Sequence, residues 1–284
     1  MFYKLNEFDL YSTNTSVGLH NDYKYKYALP FEKIEGYVSK TQFLQRTWHH
    51  SITISVVYYI FIKFIQRLME NRKPFTLRVP LIIWNFLLAV FSIIAFTRFT
   101  EDVAYSAIYR GIYESLCYSV NPTDVAAFWS LQFAISKIVE LGDTIFIVLR
   151  KKPLIFLHYY HHAAVLIYTA HSGAEHAGAG RFFVSMNLFA HSIMYSYYAC
   201  KAYGFKVPRF VAMMVTTVQT VQMLAGVFIS YLVYRIKTET TLPCQQSMGN
   251  LYLAFFLYTT FAVLFIQFFA KTYMMKARKT TKAE

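Results

Sequence analysis

The sequence predicts an all-α integral membrane protein with seven transmembrane helices, and its composition is the first reason. Of the 284 residues, 56% are hydrophobic and 15% are charged, whereas a soluble domain averages about 25% charged residues. A soluble helical core of this length, the alternative, could not bury so much apolar surface, and disordered chains are polar and poor in aromatic residues. Seven apolar stretches approach the roughly 20 residues that a helix needs to cross a bilayer. They are residues 52–68, 79–96, 125–149, 154–170, 182–202, 210–234 and 251–270.

These stretches divide the chain into three regions. An N-terminal tail covers residues 1–50, a helical membrane domain covers residues 51–270, and a basic tail covers residues 271–284. The third apolar stretch is too long for one straight span, so we expect it to begin or end in an interfacial segment. No short apolar run near Met1 resembles a cleavable signal peptide, and the first span is therefore expected to act as its own insertion signal.

The basic residues predict the orientation of the chain in the membrane. The net charge is +13, from 28 Lys and Arg against 15 Asp and Glu. Fourteen basic residues fall in the loops after spans one, three and five, at the end of the fifth span or in the C-terminal tail, and five fall in the opposite loops. The positive-inside rule then places the C-terminus in the cytosol and the N-terminus in the lumen. A nucleic-acid-binding domain, the other class with such a surplus, carries its basic residues on a polar surface instead.

Two features of the predicted lumenal side agree with this orientation. The triplet that begins at Asn14 is an acceptor for N-glycosylation, which is usable only on the lumenal side. Cys117 and Cys244 both fall in lumenal loops, where an oxidising environment permits a disulfide, and we expect them to pair. Cys200 lies at the cytosolic end of the fifth span and is expected to be a free thiol.

A histidine cluster lies inside the fourth span. His158, His161 and His162 are three and four residues apart, so on a helix they share one face. At 1.5 Å per residue, they lie roughly 6–12 Å inside the cytosolic end of that span. Ionisable groups are costly inside a membrane, which makes these three residues candidates for a functional site.

Three other spans carry polar residues at helical spacing, and together they predict a polar chamber in the cytosolic half of the protein. The residues are Lys137, Glu140 and Asp143 with Gln132 in the third span, Asn187, His191 and Tyr195 in the fifth, and Thr216, Gln219 and Gln222 in the sixth. Structural roles stay open for several of them, as an ion pair between Lys137 and Glu140 or as interhelical hydrogen bonds from the glutamines. The remaining histidines are expected to be solvated: His20, His49, His50, His171 and His176.

Two chemistries suit the histidine cluster. Imidazole is the commonest metal ligand, but membrane di-iron oxidases use several His-x-x-His-His boxes. This chain has one box, with no Asp or Glu close in sequence to complete a facial triad. A neutral imidazole can instead act without a metal, as a base or a nucleophile. A seven-span receptor or transporter shares the predicted topology, but neither predicts three helical histidines beside basic cytosolic loops.

Four runs of residues in four different spans carry a specific resemblance. They are Lys137-Ile-Val-Glu140-Leu-Gly-Asp143-Thr144, Leu157-His158-Tyr-Tyr-His161-His162, Asn187-Leu-Phe-Ala-His191 and Thr216-Thr-Val-Gln219-Thr-Val-Gln222. In order and spacing they resemble the very-long-chain fatty acid elongases of the endoplasmic reticulum, the ELO family. The resemblance covers the chain from the first span to the C-terminal tail. The tail and the Glu-Leu-Gly-Asp variant are most similar to the subgroup that extends saturated and monounsaturated chains of the C16 type.

The resemblance implies a fold in which six of the seven helices form an inverted barrel around a closed acyl tunnel. It implies condensation of a long-chain acyl-CoA with malonyl-CoA to 3-oxoacyl-CoA, CoA and carbon dioxide, the first step of microsomal elongation, with no metal or cofactor. His161 matches the histidine that takes the acyl group as an acyl-histidine intermediate, and His191 matches its partner on the next helix. His158, His162 and His191 are expected to orient the nucleophile, stabilise the thioester oxyanion or assist decarboxylation.

The other candidates are expected to bind substrate. Lys137 and Arg150 are expected near the chamber mouth, where they meet the CoA phosphates or the malonyl carboxylate, and Glu140 and Asp143 are expected to position them. The remaining substrate-binding candidates are Asn187, Tyr195, Gln219 and Gln222. The implied partners are membrane lipid and the ketoacyl reductase, dehydratase and enoyl reductase of the elongation cycle. A homo-oligomer is left open, and no nucleic acid is expected.

Overall fold

The computed structural model describes residues 18–274, and within them every regular element is helical. The ten α-helices are α1 (Tyr37–Thr47), α2 (His50–Met69), α3 (Arg78–Tyr105), α4 (Gly111–Cys117), α5 (Val125–Val139), α6 (Gly142–Leu149), α7 (Phe156–Glu175), α8 (Gly180–Tyr203), α9 (Arg209–Glu239) and α10 (Met248–Phe269). π-helical turns follow α3 and α10 directly. All seven predicted apolar stretches fall on these helices. Asn14 and most of the basic C-terminal tail lie outside the described residues.

Four helices in the described part of the chain are long and apolar enough to cross a membrane. They are α2, α3 with its continuation to Cys117, α9, and α10 with its continuation to Met274. Large apolar side chains are exposed on their outer faces, among them Ile60 on α2, Phe86 on α3 and Phe228 on α9. An exposed apolar surface of this extent suits lipid rather than water. The protein is therefore a helical membrane protein.

The long third stretch is two helices rather than one. The chain turns at Glu140 and Leu141, between α5 and α6, where the sequence analysis expected an interfacial segment at one end instead. The turn brings the Glu140 carboxylate within 2.7 Å of the Lys137 ammonium. The residue after the turn is Gly142, and glycine is needed there because a Cβ would lie 2.7 Å from the indole of Trp84. The break thus allows α6 to pack closely against α3.

The segment before α1, which the sequence analysis assigned to the N-terminal tail, is folded against the helices. Glu32 is buried and accepts hydrogen bonds from the Arg98 guanidinium at 2.6 and 2.8 Å and from the Trp129 indole at 2.8 Å. Burial alone would raise the pKa of Glu32, but these hydrogen bonds outweigh it and lower that pKa from 4.5 to about 2. Since Arg98 is on α3 and Trp129 on α5, the segment is tied to both helices.

A disulfide joins Cys117 at the end of α4 to Cys244 in the loop between α9 and α10, the pair that the sequence analysis expects. The neighbouring backbone strengthens this junction: the Gln245 N–H donates to the Cys117 carbonyl at 2.8 Å, and the Gly178 N–H donates to the Gln245 carbonyl at 2.6 Å. A Cβ at Gly178 would lie 2.6 Å from the Cys117 carbonyl carbon, so this position requires glycine. Three loops are therefore fastened together at one end of the bundle. Cys200 is exposed and unpaired at the other end.

Two helix pairs, α3 with α8 and α9 with α10, form the most extensive interfaces. α9 and α10 approach closely at Gly226, where any Cβ would overlap the ring of Tyr258. Buried apolar residues of α10, including Leu257 and Phe261, extend this interface toward α7. α7 packs against α2, α5 and α10, and one of its faces lines the interior cavities.

Candidate active site

Two of the cavities among residues 18–274 meet at one side chain. The larger, which we call the chamber, has a volume of 640 Å³ and is lined by His158, His162 and His191 together with basic residues. The smaller, which we call the tunnel, has a volume of 180 Å³ and is lined mainly by apolar residues of α5, α7, α8, α9 and α10. Among the described residues, His161 is common to both linings.

The first two turns of α7 present the histidine cluster to the chamber. The ring centroids of His158 and His162 lie 4.5 Å apart, and those of His161 and His162 lie 5.8 Å apart. Because residues three and four apart share a helix face, all three rings project to the same side. The structure thus brings together the three histidines that the sequence analysis grouped.

His161 is held by packing rather than by hydrogen bonds. Its ring centroid lies 4.7 Å from that of Phe261 and 6.2 Å from that of Phe265, both on α10. Its Nδ1 atom is buried and has no hydrogen-bond partner within residues 18–274. Buried polar atoms nearly always have a partner, and an exception calls for an explanation such as a catalytic role. A ring nitrogen free of competing hydrogen bonds is available to react.

His158 and His162 are each oriented from α6, the helix that follows the break. His158 Nε2 lies 3.0 Å from the Thr144 hydroxyl, which is also hydrogen-bonded to the Tyr58 hydroxyl on α2. His162 Nε2 lies 4.0 Å from the carboxylate of Asp143. Thr144 belongs to the run that carried the family resemblance, but its contact with His158 could not be read from the sequence because the two residues lie on different helices.

Asp143 has two further partners that fix its carboxylate. The Trp84 indole donates to Oδ1 at 2.6 Å, and the Tyr195 hydroxyl donates to Oδ2 at 2.7 Å. These two partners are an indole and a phenol, whereas Asp143 was predicted to position Lys137 or Arg150. Trp84 is absent from the sequence-based candidates, since an aromatic residue in an apolar span carries no signal of its own.

Lys137 and Glu140 form a buried pair beside the chamber. Lys137 is 3% exposed, and its ammonium donates to Glu140 at 2.7 Å and to the side-chain oxygen of Asn187 at 2.8 Å. Glu140 also lies 3.6 Å from His191 Nδ1, and Asn187 lies 3.4 Å from His191 Nε2. The expectation that Lys137 lies near the chamber mouth is wrong, because its charge is compensated inside the protein. Glu140 thus holds the Lys137 ammonium in place, and it also lies beside His191.

The basic residues that do line the chamber are Arg150, Lys152 and Lys201. Arg150 is the one the sequence analysis named, and Lys152 lies two residues further along the same loop. Lys201 comes from the last turn of α8, and only the packing of α8 brings it near the α6–α7 loop. Three cations around one cavity favour an anionic ligand.

The two glutamines of α9 face different cavities. Gln219 lines the chamber and donates to the sulfur of Met194 at 3.1 Å, whereas Gln222 is buried and lines the tunnel. Thr216 contacts the hydroxyl of Tyr273 at 3.2 Å and lines neither cavity. Of the polar residues predicted for this span, Gln219 therefore faces the chamber and Gln222 faces the tunnel.

One expectation about the remaining histidines is wrong. His171, expected to be solvated, is 4% exposed, and its Nδ1 lies 2.9 Å from the side-chain nitrogen of Asn250. His176 is partly buried and bonds the Thr41 hydroxyl at 3.0 Å. His20 and His50 are exposed as expected. Within the described part of the chain, no three His, Cys, Asp or Glu side chains are placed to hold a metal ion together.

Comparisons with known proteins agree with the motifs at this site. Residues 43–281 match the ELO family, described as the GNS1/SUR4 family. The chain is 61% identical over 279 residues to a Caenorhabditis elegans protein named putative fatty acid elongase 4. The aligned region covers 98% of this chain and 96% of that protein. It is 41% identical over 255 residues to the Mus musculus very long chain fatty acid elongase 6, covering 89% of this chain and 96% of the relative. A third relative, very long chain fatty acid elongase 3 of Homo sapiens, is 39% identical over 245 residues, covering 85% and 90%.

Proposed function

The chain belongs to the ELO family, and on that premise we propose that it is a very-long-chain 3-oxoacyl-CoA synthase. The proposed reaction condenses a long-chain acyl-CoA with malonyl-CoA and yields 3-oxoacyl-CoA, CoA and carbon dioxide. The relatives named above as fatty acid elongases support the reaction class. The position of His161 between a polar and an apolar cavity is the single observation that carries the mechanism.

Each cavity suits one part of the acyl-CoA substrate. The tunnel takes the acyl chain, since burial of each CH₂ contributes about 0.8 kcal/mol. The chamber takes the CoA, because Arg150, Lys152 and Lys201 complement its phosphates. A thioester joins the two parts of the substrate, and it would then lie beside His161.

In the first step, a nitrogen of His161 attacks the thioester carbonyl carbon. The carbon–sulfur bond breaks, an acyl-imidazole forms, and CoA leaves as the thiol after taking the imidazole proton. His158 is held by the Thr144 hydroxyl at 3.0 Å, and His162 lies beside it, 4.0 Å from Asp143; we assign these two rings the role of donating to the oxyanion of the tetrahedral intermediate.

In the second step, malonyl-CoA occupies the chamber after CoA has left. Loss of carbon dioxide leaves its electron pair on the α-carbon as an enolate. That carbon attacks the acyl carbon, the carbon–nitrogen bond breaks, and the departing nitrogen of His161 takes up a proton from water, which restores the imidazole and is the one proton that the overall reaction consumes. The Asn187 amide donates to His191 Nε2 at 3.4 Å, and His191 Nδ1 lies 3.6 Å from Glu140, so the ring is held in one orientation and is assigned the role of positioning the nucleophile.

We also propose that the reaction uses no metal and no cofactor. The chemistry above needs a nucleophile, hydrogen-bond donors and a cationic surface, and His161, the neighbouring histidines and the basic residues of the chamber supply them. Metal analysis of purified active protein tests this. Two iron atoms per chain would contradict it and would favour the di-iron oxidase alternative.

The proposal includes a location and a topology. Seven helical spans would lie in the endoplasmic reticulum membrane, six of them forming a barrel around the tunnel, with the N-terminus in the lumen and the C-terminus in the cytosol. The one-sided basic charge supports this orientation. The Cys117–Cys244 disulfide supports it too, since an oxidising lumen permits such a bond. Glycosylation at Asn14 would follow from the same topology, and the other enzymes of the elongation cycle would take up the product.

Trapping the acyl-enzyme is the direct experiment. Purified full-length protein is incubated with a C16 acyl-CoA alone and analysed by mass spectrometry of its peptides. We expect one acyl group on the peptide that contains His161, and we expect added malonyl-CoA to discharge it. The His161→Ala variant should carry none. His50→Ala is the matched control, because His50 is exposed and lines neither cavity.

Two results would count against the acyl-histidine. One is an acyl group found equally on the His161→Ala variant, and the other is native protein that elongates substrate without ever carrying the group. Incorporation of radiolabelled malonyl-CoA, measured on the same preparations, separates a failed trap from an inactive enzyme.

A further inference from the structure

We infer that α1 forms the floor of the tunnel and sets the longest acyl chain that the enzyme accepts. This inference rests on the proposed function, because it concerns the acyl chain bound at His161. The sequence analysis assigned α1 to the N-terminal tail, outside the helical domain. In the structure, Tyr37, Thr41 and Leu44 of this helix line the tunnel.

Three contacts hold α1 across the end of α7. The Thr41 hydroxyl bonds His176 Nε2 at 3.0 Å, and the Gln45 side chain donates to the Ala174 carbonyl at 3.2 Å. One turn further on, the ring of Trp48 packs edge-on against His171 at 4.9 Å. α1 is therefore fixed at the end of α7 that is remote from His161, and it lines the tunnel opposite the reacting atom.

The distance between these two ends matches a long acyl chain. His161 and His176 both line the tunnel and are fifteen residues apart on or next to α7, which corresponds to ~22 Å along a helix. A carbon chain with bonds of ~1.5 Å and angles of ~111° advances ~1.25 Å per carbon. The distance from His161 to the floor therefore matches the length of ~18 carbons in extended form.

Two glycines of the tunnel lining leave room for a side chain. Gly173 and Gly180 line the tunnel, and a Cβ added at either would meet no atom within 4 Å. At Gly178 and Gly226, by contrast, an added Cβ would overlap neighbouring atoms. A side chain at Gly173 or Gly180 would therefore extend into free space next to the floor rather than into protein.

The test compares two substitutions of opposite effect. Gly173→Leu fills the deep end and should shorten the longest accepted chain by one two-carbon step or more. The variant should fold, because leucine has a higher helix propensity than glycine and a Cβ at this position meets no atom within 4 Å. Leu44→Ala removes part of the floor and should lengthen the longest accepted chain. Phe43→Leu is the matched control, since Phe43 is 65% exposed on the outer face of α1.

The measurement is radiolabelled malonyl-CoA incorporation by purified full-length protein, with saturated acyl-CoA substrates of ~12 to ~20 carbons, a range that brackets the tunnel length. In Gly173→Leu we expect kcat/KM for the longest native substrate to fall roughly tenfold relative to the substrate two carbons shorter, the effect of denying burial to two CH₂ groups. In Phe43→Leu the profile should equal that of the native enzyme.

The outcomes separate this inference from the proposed function. Native protein that incorporates no malonyl carbon with any substrate would overturn the proposed function, and with it the inference that α1 limits the acyl chain length. If the native protein elongates substrate but the Gly173→Leu and Leu44→Ala variants have unchanged length profiles, only the inference about α1 would be overturned. If one variant fails to fold, the direction of the shift in the other decides.

Discussion

The chamber and the tunnel are built on the same helix by different interactions. Around the chamber, the early residues of α7 are oriented by hydrogen bonds from other helices, as in the contact of His158 with Thr144. Along the tunnel, later residues of α7 such as Val165 and Tyr168 pack against α10 and α8 without such a network. His161 lies between the two, with a ring packed on Phe261 and a nitrogen left free.

On the proposed function, the hydrogen-bonded chamber carries the chemistry and the apolar tunnel selects the acyl chain. Buried polar groups need partners, so a chamber wall made of hydrogen bonds has one arrangement and tolerates few changes. Apolar packing depends on volume, and a tunnel wall can change by a methyl group at modest cost. We therefore expect substitutions around the chamber to affect rate or folding and substitutions along the tunnel to affect which substrate is accepted.

The largest expected effect is at the junction of the two cavities. His161→Ala should lower the rate of malonyl incorporation by about 10⁴-fold or more, because it removes the nucleophile from the covalent step. Steady-state kinetics on membranes that contain equal amounts of protein measure this. The His50→Ala control should keep the native rate. A His161→Ala enzyme with a tenth of native activity would show that the junction does not hold the nucleophile.

The buried pair beside the chamber should give the next largest effect, on stability. Lys137→Met should destabilise the protein by about 3–5 kcal/mol, because it leaves Glu140 charged and uncompensated inside the fold. The double variant Lys137→Met/Glu140→Leu should recover most of that loss, since apolar residues can replace a buried ion pair. Thermal unfolding in one detergent measures both. A double variant less stable than the single one would contradict the compensation argument.

The stability of the protein should also depend on the Cys117–Cys244 disulfide near the far end of the tunnel. Replacing Cys117 and Cys244 together by serine should cost about 2–4 kcal/mol, the usual contribution of a native disulfide that closes a long loop. Cys200→Ser is the control and should match the native protein, because Cys200 is exposed and unpaired. The same unfolding measurement applies. Equal losses in both variants would mean that the cysteines matter for a reason other than their bond.

The smallest expected effect is a pH dependence at the tunnel floor. Burial, and to a lesser degree the charge of His20, lowers the pKa of His176 from 6.5 to about 4. Below pH 6.5 the unfolded chain takes up a proton that the folded chain does not accept until about pH 4. The stability due to His176 is thus complete above pH 6.5 and declines as the pH falls to about 4.

Unfolding measured across this pH range tests the prediction with a matched variant. His176→Asn fits the left-handed backbone at this position, where φ is 56°, because asparagine tolerates that conformation. We expect the variant to lose less stability than the native protein between pH 6.5 and 4. Parallel curves for the two proteins would contradict the prediction, because they would mean that the pKa of His176 is the same in the folded and unfolded states.

Helical periodicity accounts for what could be predicted of the site. The spacing of His158, His161 and His162 sufficed to group them, because a helix of known pitch decides which residues share a face. The same reasoning grouped Lys137 with Glu140 on one helix, and the structure joins them at 2.7 Å. In both cases the partners lie within one turn of each other, so no knowledge of the other helices was needed.

The partners that the predictions did not identify are distant in the chain. Asp143 was expected to serve a cation, but it is held by Trp84, 59 residues earlier. His171 was expected to be solvated, but it is buried against Asn250, 79 residues later. The floor helix α1 was assigned to a tail because its composition is polar and nothing local shows that it packs on α7.

The sequence by itself determined the membrane helices, the one-sided charge and the polar faces, because apolar length, charge and helical pitch are local properties. Only the tertiary structure decided that the polar faces divide between the chamber and the tunnel, that Lys137 is enclosed rather than near the mouth, and that His161 faces both cavities. These facts depend on how helices far apart in the chain pack against one another. Helix packing is set by the shapes of many side chains at once, and no single segment of the chain contains that information.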